Sequence, residues 1–360
     1  VAASIETVLG YVTLCGTIER IKSGIPDVLP PAFRTITKPT IGNTGQYMRV
    51  FGTRQTARIV QYGSPAQRRD LKGVEAMPVI LLHSFEEIQL SPLVYQQLRS
   101  LDAYINNQGK EELARQMREF AYYSANLRTA ATVSMLFQGN IWFDGGGNLL
   151  PTSSGAKITV NYAIPANNQN QLNGILATSW ANHAADIPGQ IRNLKAQSLR
   201  DTGYELKYAF YGANVPSYLA INDYIQPWFV RYPAQNAHYS STGEIPDGFY
   251  GIDKWIPAYK AFYNDNSDAS QSFVGANAVT FSPEIDATVY EHLEGTYMVP
   301  TTFQPTQNPT NTQADFAQVT GMFAYSVPWH NPPTANVYRG DTFLPIWKVP
   351  QSLYQGVCVF

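Results

Sequence analysis

Charge is scarce in this sequence. Only 14% of its 360 residues are Asp, Glu, Lys or Arg, against about 25% in typical soluble domains. The formal net charge is -2, which excludes the strongly basic surface of a protein that tracks nucleic-acid phosphates. Cysteine is scarcer still. Cys15 and Cys358 allow one bridge between them, exclude a disulfide framework and match no Cys/His zinc spacing. No apolar run approaches the roughly 18 residues of a membrane span. The first residues lack the basic segment of a signal peptide. The GxSxG, HExxH and Walker patterns of common enzymes are missing.

Amide, hydroxyl and aromatic groups fill the place of the charges. The chain carries 23 tyrosines, each with an apolar body and a hydrogen-bonding tip, a combination suited to contact surfaces. At this length two or three packed units are expected. Residues 1–46 mix short apolar stretches with Pro26, Pro30, Pro31 and Pro39, the pattern of an extended arm without a core of its own. Residues 47–62 and 76–90 are rich in Val, Ile, Tyr and Phe and predict strands. Between them GSPAQRRDLKG (63–73) forms a basic, glycine-fenced tip.

Ser91-Pro92 predicts a helix start, with Ser at the cap and Pro at the first helical position. Leu113, Met117, Phe120, Ser124, Leu127 and Ala131 recur at steps of four and three, which is one helical face. Gly109 predicts a kink or an interruption, so 91–138 is one bent helix or two, ended by Gly139. A second helix is predicted from Ile187 to Asp201, capped by Asp186 and stopped at Gly203. YELKYAFYG predicts a strand and PSYLAINDYI a short helix. Residues 249–300 and 322–360 read mostly as strands. QPTQNPTNTQ, with its two prolines, reads as a loop. Strands, helices and strands again, without regular βαβ alternation, make the fold class α+β.

Candidate sites are few. Ser154-Gly155-Ala156-Lys157 matches SxxK but falls in a turn, with neither SDN nor KTG after it. Asp265, Asn266 and Asp268 offer hard oxygens, without the glycine and terminal glutamate of a calcium loop. Glu291, His292 and Glu294 lie close in sequence to Glu284 and Asp286. They suit either a catalytic pair or a solvated strand edge that discourages pairing. On a strand, His292 and Glu294 share one face and Glu291 takes the other. At the tip, Arg68, Arg69 and Lys72 are diluted by Asp70 and Glu75 and lack aromatic platforms, which disfavours a nucleic-acid patch. They suit either a solvated turn or a protruding arm whose arginines meet a neighbour's carboxylates.

The order of these segments resembles the major capsid proteins of tailed bacteriophages, in particular the lambda-type capsid protein E family. The resemblance runs over nearly the whole chain. It is carried by the helix ELARQMREFAYYSANLRTAATVSMLFQG and by the tract SWANHAADIPGQIRNLKAQSLRDTGYELKYAFYGANVPSYLAIND. The segment FYGIDKWIPAYKAFYNDNSDASQSFVGANAVTF and the ending GMFAYSVPWHNPPTANVYRGDTFLPIWKVPQSLYQGVCV complete it. The resemblance implies the tailed-phage capsid fold. Residues 1–46 would be the N-terminal arm and 47–88 an extended β-hairpin loop. Residues 89–203 and 301–360 would form a peripheral domain with a long spine helix, and 204–300 an axial domain.

The implied role is structural, with no cofactor, metal or catalytic residue. Hexameric and pentameric capsomers would build an icosahedral head around double-stranded DNA. The DNA would be contacted non-specifically, without a membrane. Decoration, scaffold and portal proteins are the implied partners. The virion is the implied location, after assembly in the host cytoplasm. Family members are commonly trimmed at the N-terminus, which would suit a chain beginning at Val1. Arg68, Arg69, Asp70 and Lys72 are the candidate intersubunit contacts. A cellular nanocompartment shell shares the fold. From a different class, a secreted low-charge carbohydrate-active enzyme or lectin-like protein would put the aromatic and acidic groups to use on sugars.

Overall fold

In the computed structural model, which describes residues 8–22, 28–50, 74–172, 174–264, 270–300, 316–330 and 333–360, the first element is a helix. This α1 (Tyr11–Lys22) buries Leu14 and Ile18, four residues apart and so on one face. Residues 11–22 are thus helical where an extended arm was expected, and they lean on the later elements Ala103–Gln138 and Phe323–His330 without a core of their own. The prolines that suggested it begin only at Pro26, and burial of two such side chains is worth about 1.5–3 kcal/mol each. A single turn, α2 (Ala32–Thr35), then seats Phe33 in the interior.

β1 (Thr37–Thr40) leads into a hairpin of β2 (Thr44–Val50) and β3 (Val74–Ile80). These two strands pair antiparallel from Thr44 opposite Ile80 to Val50 opposite Val74. The expected basic tip, with Arg68, Arg69, Asp70 and Lys72, lies outside the described residues. β4 (Leu82–Gln89) follows at once.

The region read as one bent helix or two is two. α3 (Pro92–Arg99) is capped by Ser91, whose hydroxyl accepts from the Val94 N–H. α4 (Ala103–Gln138) is capped by Asp102, whose carboxylate accepts from Tyr104 N and Ile105 N. The break falls at 100–102, and α4 runs unbroken through Gly109. That glycine serves close packing instead. A Cβ there would lie 3.0 Å from Leu98 N of α3, and the neighbouring Asn106 side chain donates to the Leu98 carbonyl at 2.7 Å. Gly139 ends α4 with φ 64°, a left-handed conformation that glycine adopts without steric cost.

β5 (Asn140–Phe143), β6 (Leu149–Leu150) and β7 (Ile158–Asn161) form a small sheet. After β8 (Gln169–Asn170), α5 (Ile187–Asp201) begins at its Asp186 cap, with the bounds expected from sequence. Next come β9 (Leu206–Tyr211), α6 (Val215–Ala220), α7 (Gln226–Arg231), α8 (Pro233–Thr242) and β10 (Lys254–Ile256). β11 (Phe262–Asn264) pairs with β12 (Ser270–Ser272). The remaining strands are β13 (Ala278–Pro283), β14 (Tyr290–Pro300), β15 (Phe316–Thr320), β16 (Phe323–His330), β17 (Pro333–Trp347) and β18 (Tyr354–Val357).

Two sheets organise the molecule. One has the order β1-β14-β17-β16, with β4 pairing β17 and β15 pairing β14. The other has the order β10-β9-β13-β18-β8. The first packs on α4. Ala130, Val133 and Leu136 of the helix share a core with Tyr290, Phe343 and Trp347, which lie on the strand face that carries Glu294 and Asp341. Nearer its start, α4 packs with α1, α3 and β16–β17 through Met117, Phe120, Leu14, Leu98 and Val337. The second sheet forms its core with α5 and α6 through Ile191, Leu194, Val215 and Leu219. These groups cross the domain boundaries expected at 203/204 and 300/301. β14 joins the first sheet, whereas α5 and β18 pack with the second, because strand pairing links segments distant in sequence.

Candidate assembly surface

The inner side of the first sheet, facing α4, holds most of the buried charge. Arg128 of α4 donates to Asp341 of β17 through Nε at 2.7 Å and Nη2 at 2.5 Å, and to Glu294 of β14 through Nη1 at 2.6 Å. Ser124 donates to the same Asp341. Burial opposes the guanidinium charge, but the attraction of Asp341 and then Glu294 outweighs it and raises the pKa. Arg339 lies 5.1 Å over the Phe120 ring, donates to the Gln116 carbonyl at 3.1 Å and pairs with Glu86 at 2.8 Å. Each carboxylate is committed to an arginine. Charge-assisted bonds of this geometry fix the helix on the sheet.

The acidic cluster singled out in the sequence is dispersed among separate tasks. Glu291 pairs with Lys348 at 2.6 Å and Lys38 at 3.1 Å. His292 meets the Tyr290 hydroxyl at 3.1 Å and stacks on Phe343 at 5.7 Å. Glu294 takes Arg128, on the face opposite Glu291, as strand alternation requires. The solvated-edge reading is overturned, since β14 is flanked by β1 and β17 and both Glu291 and His292 are buried. Glu284 pairs with Lys207 at 2.7 Å, and Asp286 accepts from Thr288 N and Val289 N in a turn.

Ser154 and Lys157 are exposed in the turn before β7. Asp265, Asn266 and Asp268 lie outside the described residues. Among those described, no three His, Cys, Asp or Glu side chains are grouped to hold a metal ion. Nor, among them, is any helix long and apolar enough to cross a membrane. Neither cysteine is in a disulfide. Cys15 sits at Ala324 on the first sheet and Cys358 is buried in the second core, so no bridge joins them.

The other side of the first sheet carries a different chemistry. Alternation along β4, β16 and β17 places His83, Phe85, Phe323, Tyr325 and Tyr338 on one face, and Tyr297 of β14 joins them. Tyr297 stacks on Phe323 with centroids 4.2 Å apart and planes 4° from parallel. Phe85 and Tyr338 are 5.8 Å apart, Tyr325 and Tyr338 5.1 Å, and His83 and Tyr297 5.6 Å. Gly340 makes room for this ladder. It faces Phe85 across one strand pair and Phe323 across the other, and a Cβ there would sit 2.5 Å from Phe323 Cζ.

The ladder is packed and only in part exposed: Phe323 is fully buried, whereas Phe85 is 43% exposed. Burial, and then its neighbours Tyr297 and Tyr338, push the Tyr325 phenol up to about 12, so it stays neutral. Aromatic rings left partly exposed on a sheet face suit a contact surface. Sequence reasoning passed over it, although the signal is there in His83-x-Phe85 and Phe323-x-Tyr325, aromatic rings two apart on strands.

No protein-family model matches the chain, and no curated protein matches it. Solved structures do. A protein assigned as the capsid protein of a prophage of E. coli CFT073 superposes with TM-score 0.56 at 13% identity, covering 97% of this chain and 99% of its own. A phage-related protein from Bordetella bronchiseptica RB50 gives TM-score 0.50 at 10% identity over 95% and 96% of the two chains. An encapsulin from Synechococcus elongatus PCC 7942 superposes less closely, at TM-score 0.42 and 8% identity over 93% and 91%. The chain has a mixed α+β, capsid-like fold. The likeness is to capsid-like structures as a group and does not single out the lambda-type family.

Proposed function

We propose that this chain is a structural shell subunit, the major capsid protein of a tailed bacteriophage. It assembles as hexamers and pentamers into an icosahedral head around double-stranded DNA, without catalysis. The observation that carries the reading is the superposition over nearly the full length of both chains on a structure assigned as a prophage capsid protein. The ladder face supports it, because aromatic rings left partly exposed on a sheet suit a contact with another copy. The low charge supports it too. A subunit buried against several neighbours must desolvate its contact faces, and few charges there keep that cost low.

In this reading the β2–β3 hairpin reaches a neighbour, with Arg68, Arg69, Asp70 and Lys72 as the contacts at its tip. Decoration, scaffold and portal proteins complete the particle, and DNA is held non-specifically. Electron microscopy and sedimentation of the purified chain test the reading. Shells or capsomers are expected, and a monomer persisting at high concentration refutes it. Charge reversal at Arg68 and Arg69 should impair assembly while the subunit stays folded. Normal shells from that variant would remove the role given to the tip.

A further inference from the structure

We propose that Tyr325 and Tyr338 form an oxidative cross-linking site, joined by a dityrosine bond when a one-electron oxidant acts on the subunit. The inference concerns a single chain and does not depend on the shell reading. Register puts the two residues directly opposite one another on β16 and β17, where the Cβ atoms of an antiparallel pair stand about 4.5–5.5 Å apart. Their rings stack with centroids 5.1 Å apart and planes 19° from parallel. Both side chains are half-buried, so a small oxidant reaches them while strand pairing holds the backbone on either side.

Among the described residues tyrosine rings meet in one other place, Tyr211 with Tyr259. That pair is centred 6.1 Å apart and tilted by 50°, and Tyr211 is fully buried. Within the ladder the choice is narrower still. Phenylalanine and histidine rings hold their electrons more tightly than a phenol does, so an electron removed from the stack is drawn from a tyrosine. Tyr297 is the third phenol of this face, but its ring lies on Phe323 at 4.2 Å and His83 at 5.6 Å, not on another tyrosine.

In the reaction each phenol gives one electron to the oxidant and its hydroxyl proton to a base. Glu87, opposite Tyr338 on β4, offers a carboxylate on the same face, and water serves where the rings are exposed. The two phenoxyl radicals couple through the ring carbons next to the oxygen-bearing carbon. One C–C bond forms, the C–H bond at each of those carbons breaks, and the oxygens are protonated again. Overall the chain loses two electrons and two protons. With persulfate as the final acceptor, the electrons convert one persulfate into two sulfate ions. The bond ties β16 to β17 in the sheet on which α4 packs.

The test photo-oxidises the purified full-length chain with ruthenium tris-bipyridyl and persulfate, at low protein concentration. Dityrosine fluorescence is read in the band of monomer size on a denaturing gel, and chymotryptic peptides are mapped by mass spectrometry. The expected product is a linked peptide pair holding Tyr325 and Tyr338, lighter by two hydrogens than its parts. Tyr325→Phe and Tyr338→Phe each keep a ring in the stack and should lose this link, whereas Tyr297→Phe should retain it. Circular dichroism checks that each variant is folded. An intrachain link of undiminished yield in Tyr325→Phe or Tyr338→Phe overturns the inference, and so does a link that maps to other tyrosines alone. Wild type without monomer-sized dityrosine, under conditions that oxidise the 72% exposed Tyr104, overturns it too. The shell reading is judged separately, by whether particles form.

Discussion

Arg128→Met removes the one cation that α4 offers to the two strands beneath it, with nearly the same side-chain length. Asp341 is then left 0% exposed and Glu294 12% exposed, and neither the 2.5 and 2.7 Å bonds to Asp341 nor the 2.6 Å bond to Glu294 is replaced. Removing one partner of a buried ion pair costs about 3–5 kcal/mol, because a charge stays buried without compensation. The contact of the guanidinium with the Phe343 ring, at 5.2 Å, adds to the loss. Urea unfolding of the dissociated subunit, followed by tryptophan fluorescence, measures the difference. Adding Asp341→Asn to Arg128→Met should recover part of it, since an amide at 341 needs no countercharge and still accepts from Ser124. A loss below about 1 kcal/mol, the size found for exposed pairs, would refute the claim that this cluster fixes helix to sheet. So would a double variant no better than the single one.

Gly340→Ala places a methyl 2.5 Å from Phe323 Cζ and 2.8 Å from the Ser84 carbonyl; overpacking of about 1–3 kcal/mol should appear as a lowered melting temperature. Asp102→Ala deletes the acceptor for Tyr104 N and Ile105 N; a cap loss of about 1 kcal/mol is expected in urea titration. Phe85→Ser should weaken assembly in sedimentation while leaving the subunit's melting temperature nearly unchanged, because the ring is already partly in water. In thiol titration near pH 8 the native chain should react at Cys15 alone. Burial holds Cys358 as an unreactive thiol with its pKa raised, and both should react once the chain is unfolded.

Local features were legible because their causes are local. The Asp186 cap and the apolar spacing of Ile187, Ile191 and Leu194 placed α5. Ser91-Pro92 placed α3, and Gly139 placed the end of α4. Gly109 misled for the complementary reason: its meaning lies in the proximity of Leu98, which helical spacing alone does not reveal. The candidate site shows the same division. Two-residue alternation does place His83 with Phe85, and Phe323 with Tyr325, on one strand face. Nothing in either segment says that β17 lies between them, or that Tyr297 folds onto Phe323.

The sequence by itself determined the sparse charge, the helix caps and stops, and the strand faces on which residues alternate. All of these depend on interactions within about four residues along the chain. Only the tertiary structure decided that β1 pairs parallel with β14, which puts Lys38 beside Glu291. It also dispersed an acidic cluster among separate partners, and drew six aromatic rings from four strands onto one sheet face. Strand pairing is set by which distant segments bury each other's apolar side, and that competition is settled across the whole chain at once.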